Sequence, residues 1–354
     1  MRRWNVYSPY MRDTFEARDV SMTRSAHEIW THVVDDSLDA WVWHSWNMLE
    51  LTMCASPSLH PVNLSFFVYE RDQVIGLVPL LVRDCVVGEG SGKIASYHPG
   101  IGFLPSPACI ASVAREPFED FAFEELERRA RGAGATQIRM RFTPAKNHGD
   151  DQERVERIAK KFSYTVKHME SHIVSLESGP PKVRDRFERY YKKFSPLFDV
   201  HIVEGAEVTA DFADQYRQLH EKDAGRVVRS PESYQKQADT ARLGLGFYVV
   251  AAHKESQQMV GALLILLYKQ VAYDGSVAVD PLYAEFRVGH ILKWVAIEEL
   301  LRRRVSMYEL GQRADPASAN EKELGISNFK EGWSRGNTRS VWQLEKTLSV
   351  EDSK

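Results

Sequence analysis

Between Leu245 and Gly311 three apolar runs follow one another with only short polar breaks. Gly246–Ala252 is followed by the polar segment His253–Gln258, and Val260–Tyr268 is the second run. Two short apolar runs so separated read as a β-hairpin. Neither run alternates apolar with polar residues, so the hairpin must be covered on both faces. A third run, Val271–Val279, ends at Asp280-Pro281. Val288, Ile291, Leu292, Val295 and Ala296 then recur at the spacing of one helical face. Arg302, Arg303 and Arg304 put positive charge in the last turn, where the helix dipole favours it. A final strand, Ser306–Leu310, stops at Gly311. The order is strand, strand, strand, helix, strand.

The rest of the chain narrows the function classes. Its 354 residues suffice for two domains, and a formal charge of -3 provides no general attraction to nucleic acid or anionic membrane. Cys54, Cys85 and Cys109 lie far apart, with no paired metal spacing, and read as small buried hydrophobes in a reducing compartment. No metal site is expected. Met1–Pro9 lacks a signal-peptide core and no apolar run is long enough to span a bilayer. The expectation is a cytoplasmic protein without membrane insertion. No nucleophile elbow, P-loop or clustered metal ligands are visible.

In chain order, residues 1–24 read as an irregular lead-in, and Ser25–Leu51 as helical with Trp30, Trp41, Trp43 and Trp46. Such a cluster is either core or a stacking floor for a ligand. Phe66–Glu70, a turn at Arg71–Gln73 and Val74–Val82 repeat the later hairpin, with Gly76 placed as Gly261 is. After the Gly- and Pro-punctuated Ile94–Pro107 comes a helix with Phe118, Phe121, Ala122, Leu126 and Ala130 on one face, ended by Gly132 and Gly134. Thr136–Phe142 is a strand. Hairpin, third element, helix and strand thus occur twice, in residues 60–145 and 245–345. This reads as an internal duplication of one mixed α/β unit, the alternative being a single large mixed sheet in which the order recurs by coincidence. The divisions expected are 1–59 as a lead-in packed on the first unit, 60–178 as the first unit, 179–205 as a connecting helix, and 206–348 as the second, catalytic unit. The connecting segment carries Lys182, Arg184, Arg186, Arg189, Lys192 and Lys193 among Phe187, Tyr190 and Tyr191. It is either a solvated helix face or a stripe that meets phosphates.

The strand order, with a loop feeding directly into a helix, resembles the GNAT acyltransferase superfamily, and more narrowly its FemAB-like and BioF2-like branch, which carries two such units. The resemblance implies that the loop Pro281–His290 holds the pyrophosphate of acyl-CoA on the free N–H groups at the helix start. Donor contacts would then be Arg287, Val288, Gly289 and His290. The chain keeps the family's glycine as Gly289, with Phe286 and Ile291 at the flanking motif positions. The basic segment resembles the family's basic helix, which adds Arg186, Arg189 and Lys193 to the donor side.

Near the end, Gly325–Trp333 contains a Phe-Lys pair like one that recurs in FemAB-like proteins. By resemblance Lys330 approaches the reacting ester, with Phe329 beside it. Chemistry agrees: aminolysis of an ester or thioester develops negative charge on the carbonyl oxygen, which an ammonium can meet. Asp274 and Tyr273 on the third strand, Glu309 and His290 are candidates for a base. Direct transfer can also proceed without one. The segment before and within a helix that starts at Ser230-Pro231 resembles one wall of the family's acceptor pocket, which implies Arg226, Arg229 and Tyr234 as acceptor contacts, exposed loop charge being the other reading of the two arginines.

The expected function is N-acyl transfer from a thioester, acyl-CoA or carrier-bound, to a small-molecule amine by direct attack in a ternary complex. The donor is a co-substrate, not a tightly held cofactor. An aminoacyl-tRNA donor, as in Fem-like aminoacyltransferases, is the alternative, and a non-catalytic binding module of the same fold is the third reading.

Overall fold

A computed structural model describes residues 15–142 and 150–348. The start of the lead-in, including Met1–Pro9, lies outside the described residues. The described residues form two compact units, 15–142, 150–167 and 342–348 in the first and 168–341 in the second.

In the first unit the elements are β1 (Phe15–Asp19), α1 (Arg24–Asp36), α2 (Trp46–Ala55), β2 (Val62–Asn63), β3 (Phe66–Glu70), β4 (Gln73–Val78), β5 (Leu81–Asp84), β6 (Lys93–Ala95), β7 (Leu104–Pro105), β8 (Ala108–Cys109), α3 (Arg115–Gly132), β9 (Ala135–Arg141) and α4 (Asp150–Phe162). Strands pair in the orders β1-β3-β4-β8 and β2-β5-β6-β9, with β7 also on β9. Two expectations change. Residues 15–19 are a strand: β1 is short and its partner β3 supplies the pairing, which local sequence cannot show. Residues 25–51 are two helices, not one. The first stops at Ser37, whose hydroxyl accepts from the Asp39 N–H, and a 3₁₀ turn at Val42–His44 intervenes. The four tryptophans are buried, so they form core and not an open stacking floor. Cys109 is buried as expected, whereas Cys54 and Cys85 are half-exposed. On α3, Phe123 rather than Phe121 shares the buried face with Phe118, Ala122, Leu126 and Ala130.

In the second unit the elements are β10 (Thr165–Ser175, in this unit from His168), α5 (Asp185–Phe194), β11 (Phe198–Val203), α6 (Ala210–Ala224), α7 (Pro231–Arg242), β12 (Gly246–His253), β13 (Met259–Tyr268), β14 (Val271–Val279), α8 (Val288–Arg302), β15 (Met307–Gln312), α9 (Glu321–Ser334) and β16 (Thr338–Thr347, in this unit to Val341). The strand order is β11-β12-β13-β14-β15-β10. Neighbours are antiparallel except β14 and β15, which run parallel. β12, β13 and α8 supply most of a continuous apolar core, which accounts for the unbroken apolar runs.

Each unit contains the same irregular hairpin. In the first, Val68 faces Gly76 and Tyr69 faces Val74, so Ile75 is an extra residue. In the second, Ala251 faces Gly261 and Ala252 faces Met259, so Val260 is extra. Both bulges precede the glycine directly, and both glycines lie under the helix that follows in the unit. A Cβ on Gly76 would come 2.3 Å from the Phe118 ring of α3, and one on Gly261 2.5 Å from Cγ1 of Val288 in α8. Close helix-on-sheet approach is what requires a residue without a side chain at both places.

Candidate active site

The parallel pairing of β14 with β15 covers only Val271–Tyr273 against Met307–Glu309. Beyond it Asp274–Val279 and Leu310–Gln312 are no longer paired to each other. At that point β14 also carries a bulge. Leu264 faces Ser276 and Ile265 faces Asp274, leaving Gly275 extra, and a Cβ there would meet Leu266 at 2.9 Å. A bulge re-aims the side chains next to it, here Asp274 and Ser276.

Lys330 arrives at the same place from α9. Its Nζ lies 3.1 Å from where a Cβ on Gly311 would sit, and the Tyr273 hydroxyl lies 3.6 Å from that point. Gly311 has φ +88°, which a residue with a side chain would resist. Burial lowers the Lys330 pKa below the ordinary lysine value, while the charges of Asp274 and Glu309 pull it the other way. Lys330 is therefore brought together with Tyr273 and Asp274, from which it is far apart in sequence.

Asp274 has two partners that sequence reasoning missed. Lys293 of α8, 3% exposed, places Nζ 2.6 Å from its Oδ2. The same ammonium donates to the Tyr308 hydroxyl at 2.7 Å, and that hydroxyl donates to Asp274 Oδ1 at 3.3 Å. Glu309, on the other face of β15, accepts from the Ser171 hydroxyl at 2.8 Å. His172 of β10 is buried, with Nδ1 3.2 Å from the Ser334 hydroxyl and Nε2 3.1 Å from that of Ser327. It thereby ties the sheet to α9 on both sides of Lys330. Burial and the charge of Lys330 push its pKa down to about 4, so the ring is neutral at neutral pH. A serine at positions 327 and 334, seven apart on one helical face, was the only sequence signal for this clamp.

Phe329 packs elsewhere. Its ring centroid is 4.8 Å from His290 at the start of α8 and 6.2 Å from Phe187 of α5. Phe187, Tyr190, Phe329 and Trp333 surround the His290 imidazole, whose pKa burial lowers to about 4. Gly332 lets Phe187 in: a Cβ there would come 2.3 Å from that ring. α5 is amphipathic, with Phe187 buried and Arg186, Arg189 and Lys193 exposed. Arg287, exposed at the cap of α8, lies over the Tyr190 ring at 5.6 Å, and both Arg287 and Arg186 act electrostatically on His290. Val288 is buried under Gly261. Gly289, by contrast, has room: the nearest atom to a Cβ there is Val279 Cγ2 at 4.0 Å.

The remaining expected residues form a separate group on α6 and α7. Ser230 caps α7 as its sequence suggests. Arg229 lies 4.5 Å over the Tyr234 ring and donates to Gln237, while Arg226 is exposed. Tyr234 is buried, its hydroxyl 2.8 Å from Nδ1 of His220. Tyr216, also on α6, bonds the Ser276 hydroxyl at 2.6 Å and so joins this group to β14 beside the bulge. Among the described residues no three His, Cys, Asp or Glu side chains are grouped to hold a metal ion, and no helix is long and apolar enough to cross a membrane.

A family model for an acetyltransferase (GNAT) domain matches residues 181–330. Among solved structures, FemX superposes with a TM-score of 0.65 at 9% identity, covering 94% of this chain and 97% of that one. A tandem GNAT protein from the clavulanic acid biosynthesis pathway gives 0.52 at 13%, covering 94% and 98%. A C-terminal domain assigned to a lysylphosphatidylglycerol synthetase of Agrobacterium fabrum gives 0.57 at 12%, covering 91% and 92%. Comparison with curated proteins finds no matching sequence. Residues 181–330 thus match a GNAT domain, and the chain has a duplicated, FemAB-like GNAT fold.

Proposed function

We propose that the protein is an N-acyltransferase that passes an acyl group from a thioester to an amine by direct attack, with the chemistry in the second unit. The observation that carries this is the convergence of Lys330 and Tyr273 on Gly311 where β14 and β15 part. In this reading the thioester carbonyl lies between the parted strands. The amine nitrogen attacks the carbonyl carbon, charge gathers on the oxygen, and the Lys330 ammonium meets it. The C–S bond then breaks, the sulfur leaves with the electron pair, and the proton lost from the amine nitrogen ends on it to give the free thiol. Asp274 is bound to Lys293 and Tyr308, so it serves as a fixed charge rather than as the base.

Acyl-CoA or a carrier-bound thioester is the leading donor. Gly289 supports it, because nothing in the protein's own packing excludes a side chain there, and a glycine in a helix start then has its reason in a ligand. Arg287 and Arg186 add positive charge at the same end. The exposed Arg186, Arg189 and Lys193 face of α5, together with the FemX-like fold, favours charged tRNA as the second reading. Arg229, Arg226 and Tyr234 are assigned to the acceptor. Such donors place the work in the cytoplasm.

The test is to give the purified protein acetyl-CoA, a carrier-bound acyl thioester and charged tRNA in separate reactions with a panel of amines, following amide formation by mass spectrometry. Transfer from a thioester is the expected result. Transfer only from tRNA would select the second reading. None from any donor, with donor binding intact, would leave a binding module.

A further inference from the structure

Lys293 is a buried cation for which neither the family resemblance nor the reaction above has a use. A lysine in that position is costly unless its charge is satisfied. Here it is satisfied by Asp274 and Tyr308, within 2.6 Å and 2.7 Å. A second lysine, Lys330, stands close enough that its charge depresses Lys293, and Asp274 is the first of the charges that hold Lys330 protonated. Two ammonium groups thus share one carboxylate at the parting of β14 and β15. The geometry decides between them, because α8 delivers Lys293 to ion-pair distance and the bulge at Gly275 turns Asp274 towards it.

We propose that Lys293, braced by Tyr308, is a positioning residue that occupies Asp274 and so keeps the neighbouring Lys330 from being neutralised by an ion pair. Lys330 then stays in the site as a cation whose charge is available to the substrate. The groups near Lys330 are Asp274 and Tyr273 from β14, Lys293 from α8, Glu309 from β15, and His172 from β10. His172 is neutral near neutral pH, so the local balance is two cations against Asp274 and Glu309, with Glu309 also held by Ser171. Removing the Lys293 charge leaves Asp274 to Lys330. An opposite charge freed at that range raises an amine's pKa.

This inference rests on the assignment of Lys330 to the site, so its test does not depend on turnover. The purified full-length protein is labelled with a trace amine-reactive acylating reagent across a pH series, and the extent at Lys330 is read from its peptide by mass spectrometry. In Lys293→Met, labelling of Lys330 below its midpoint should fall about tenfold, as the midpoint moves up by about one pH unit. Lys293→Gln, which keeps a donor towards Asp274, gives the same direction should the methionine variant fail to fold. Asp274→Asn/Lys293→Met removes both charges, and its Lys330 should label at least as readily as in the parent. A Lys330 midpoint unchanged or lowered in the folded Lys293 variants overturns the proposal. So does an equal rise in the double variant, since the freed carboxylate would then not be the cause. Where acyl transfer is measurable, the alkaline limb of kcat/KM should move upward with the labelling midpoint. Absence of any transfer would count against the proposed reaction while leaving the labelling result to decide this point.

Discussion

Nζ of Lys330 stands 3.1 Å from the place a Cβ on Gly311 would occupy, so a helix residue and a strand glycine meet where two parallel strands part. If that ammonium stabilises the developing oxyanion, Lys330→Met should keep the fold and lower kcat by about 10²- to 10³-fold with little change in KM. Lys330→Arg should recover only part of the loss, because a planar fork cannot replace a point donor at one distance. Steady-state kinetics alongside a thermal melt checks both, and an unchanged kcat would return Lys330 to a structural role.

Gly289 separates packing from ligand binding. A Cβ there has space, and alanine is the better helix former, so Gly289→Ala should leave stability unchanged or raise it by up to about 1 kcal/mol. Gly289→Glu should raise the donor KM sharply if a pyrophosphate sits on the helix start, since a negative charge enters an anion site. With a tRNA donor the same change should do little. Replacing Arg186, Arg189 and Lys193 should then weaken tRNA binding and flatten its log-log salt dependence by about one per lost phosphate contact.

His172 makes acid stability a test of the α9 clamp. Its pKa falls from 6.5 to about 4 on folding, so between those values the unfolded chain holds the extra proton. Stability is therefore full above pH 6.5 and declines as pH falls towards about 4. His220 and His290, also lowered to about 4, act in the same direction. Denaturant titrations of His172→Gln should show a slope shallower by about 1.4 kcal/mol per pH unit in that window. An unaltered slope would mean that the ring is not neutral in the native clamp.

The two hairpin glycines should respond alike but not equally. Gly76→Ala and Gly261→Ala both overpack a helix against a sheet and should each cost about 1–3 kcal/mol. The first should cost more, because its Cβ would also meet the backbone oxygen of Ala108 at 2.8 Å, whereas Gly261 faces the side chains of Val288 and Leu292. Chemical denaturation compares them, and a neutral Gly76→Ala would contradict the packing.

Much of the fold was legible in local pattern. Val271–Val279 and the start of α8 at Val288 have the bounds that hydrophobic periodicity predicts, and Ser230-Pro231 begins α7 as capping chemistry predicts. Gly76 and Gly261 were recognisable as a pair because close packing leaves the same residue type in both copies. β1 was not legible, since a five-residue strand depends on the partner that pairs with it. Nor was the break after Asp36, where apolar spacing continues although the chain turns.

The site divides in the same way. Sequence alone determined the residue types that can carry acyl transfer, with Lys330 after Phe329, Gly289 at a helix start and Asp274 on a strand. Tertiary structure alone decided what each one touches, because charge depends on neighbours that sequence does not place. Lys293 gave no signal in the sequence, yet it is buried against Asp274. Asp274 looked like a base, and the bulge at Gly275 gives it to an ion pair. Electrostatic roles are set by distances of a few ångströms between residues 19 to 56 positions apart, such as Lys293 and Lys330 about Asp274. Only folding fixes those distances.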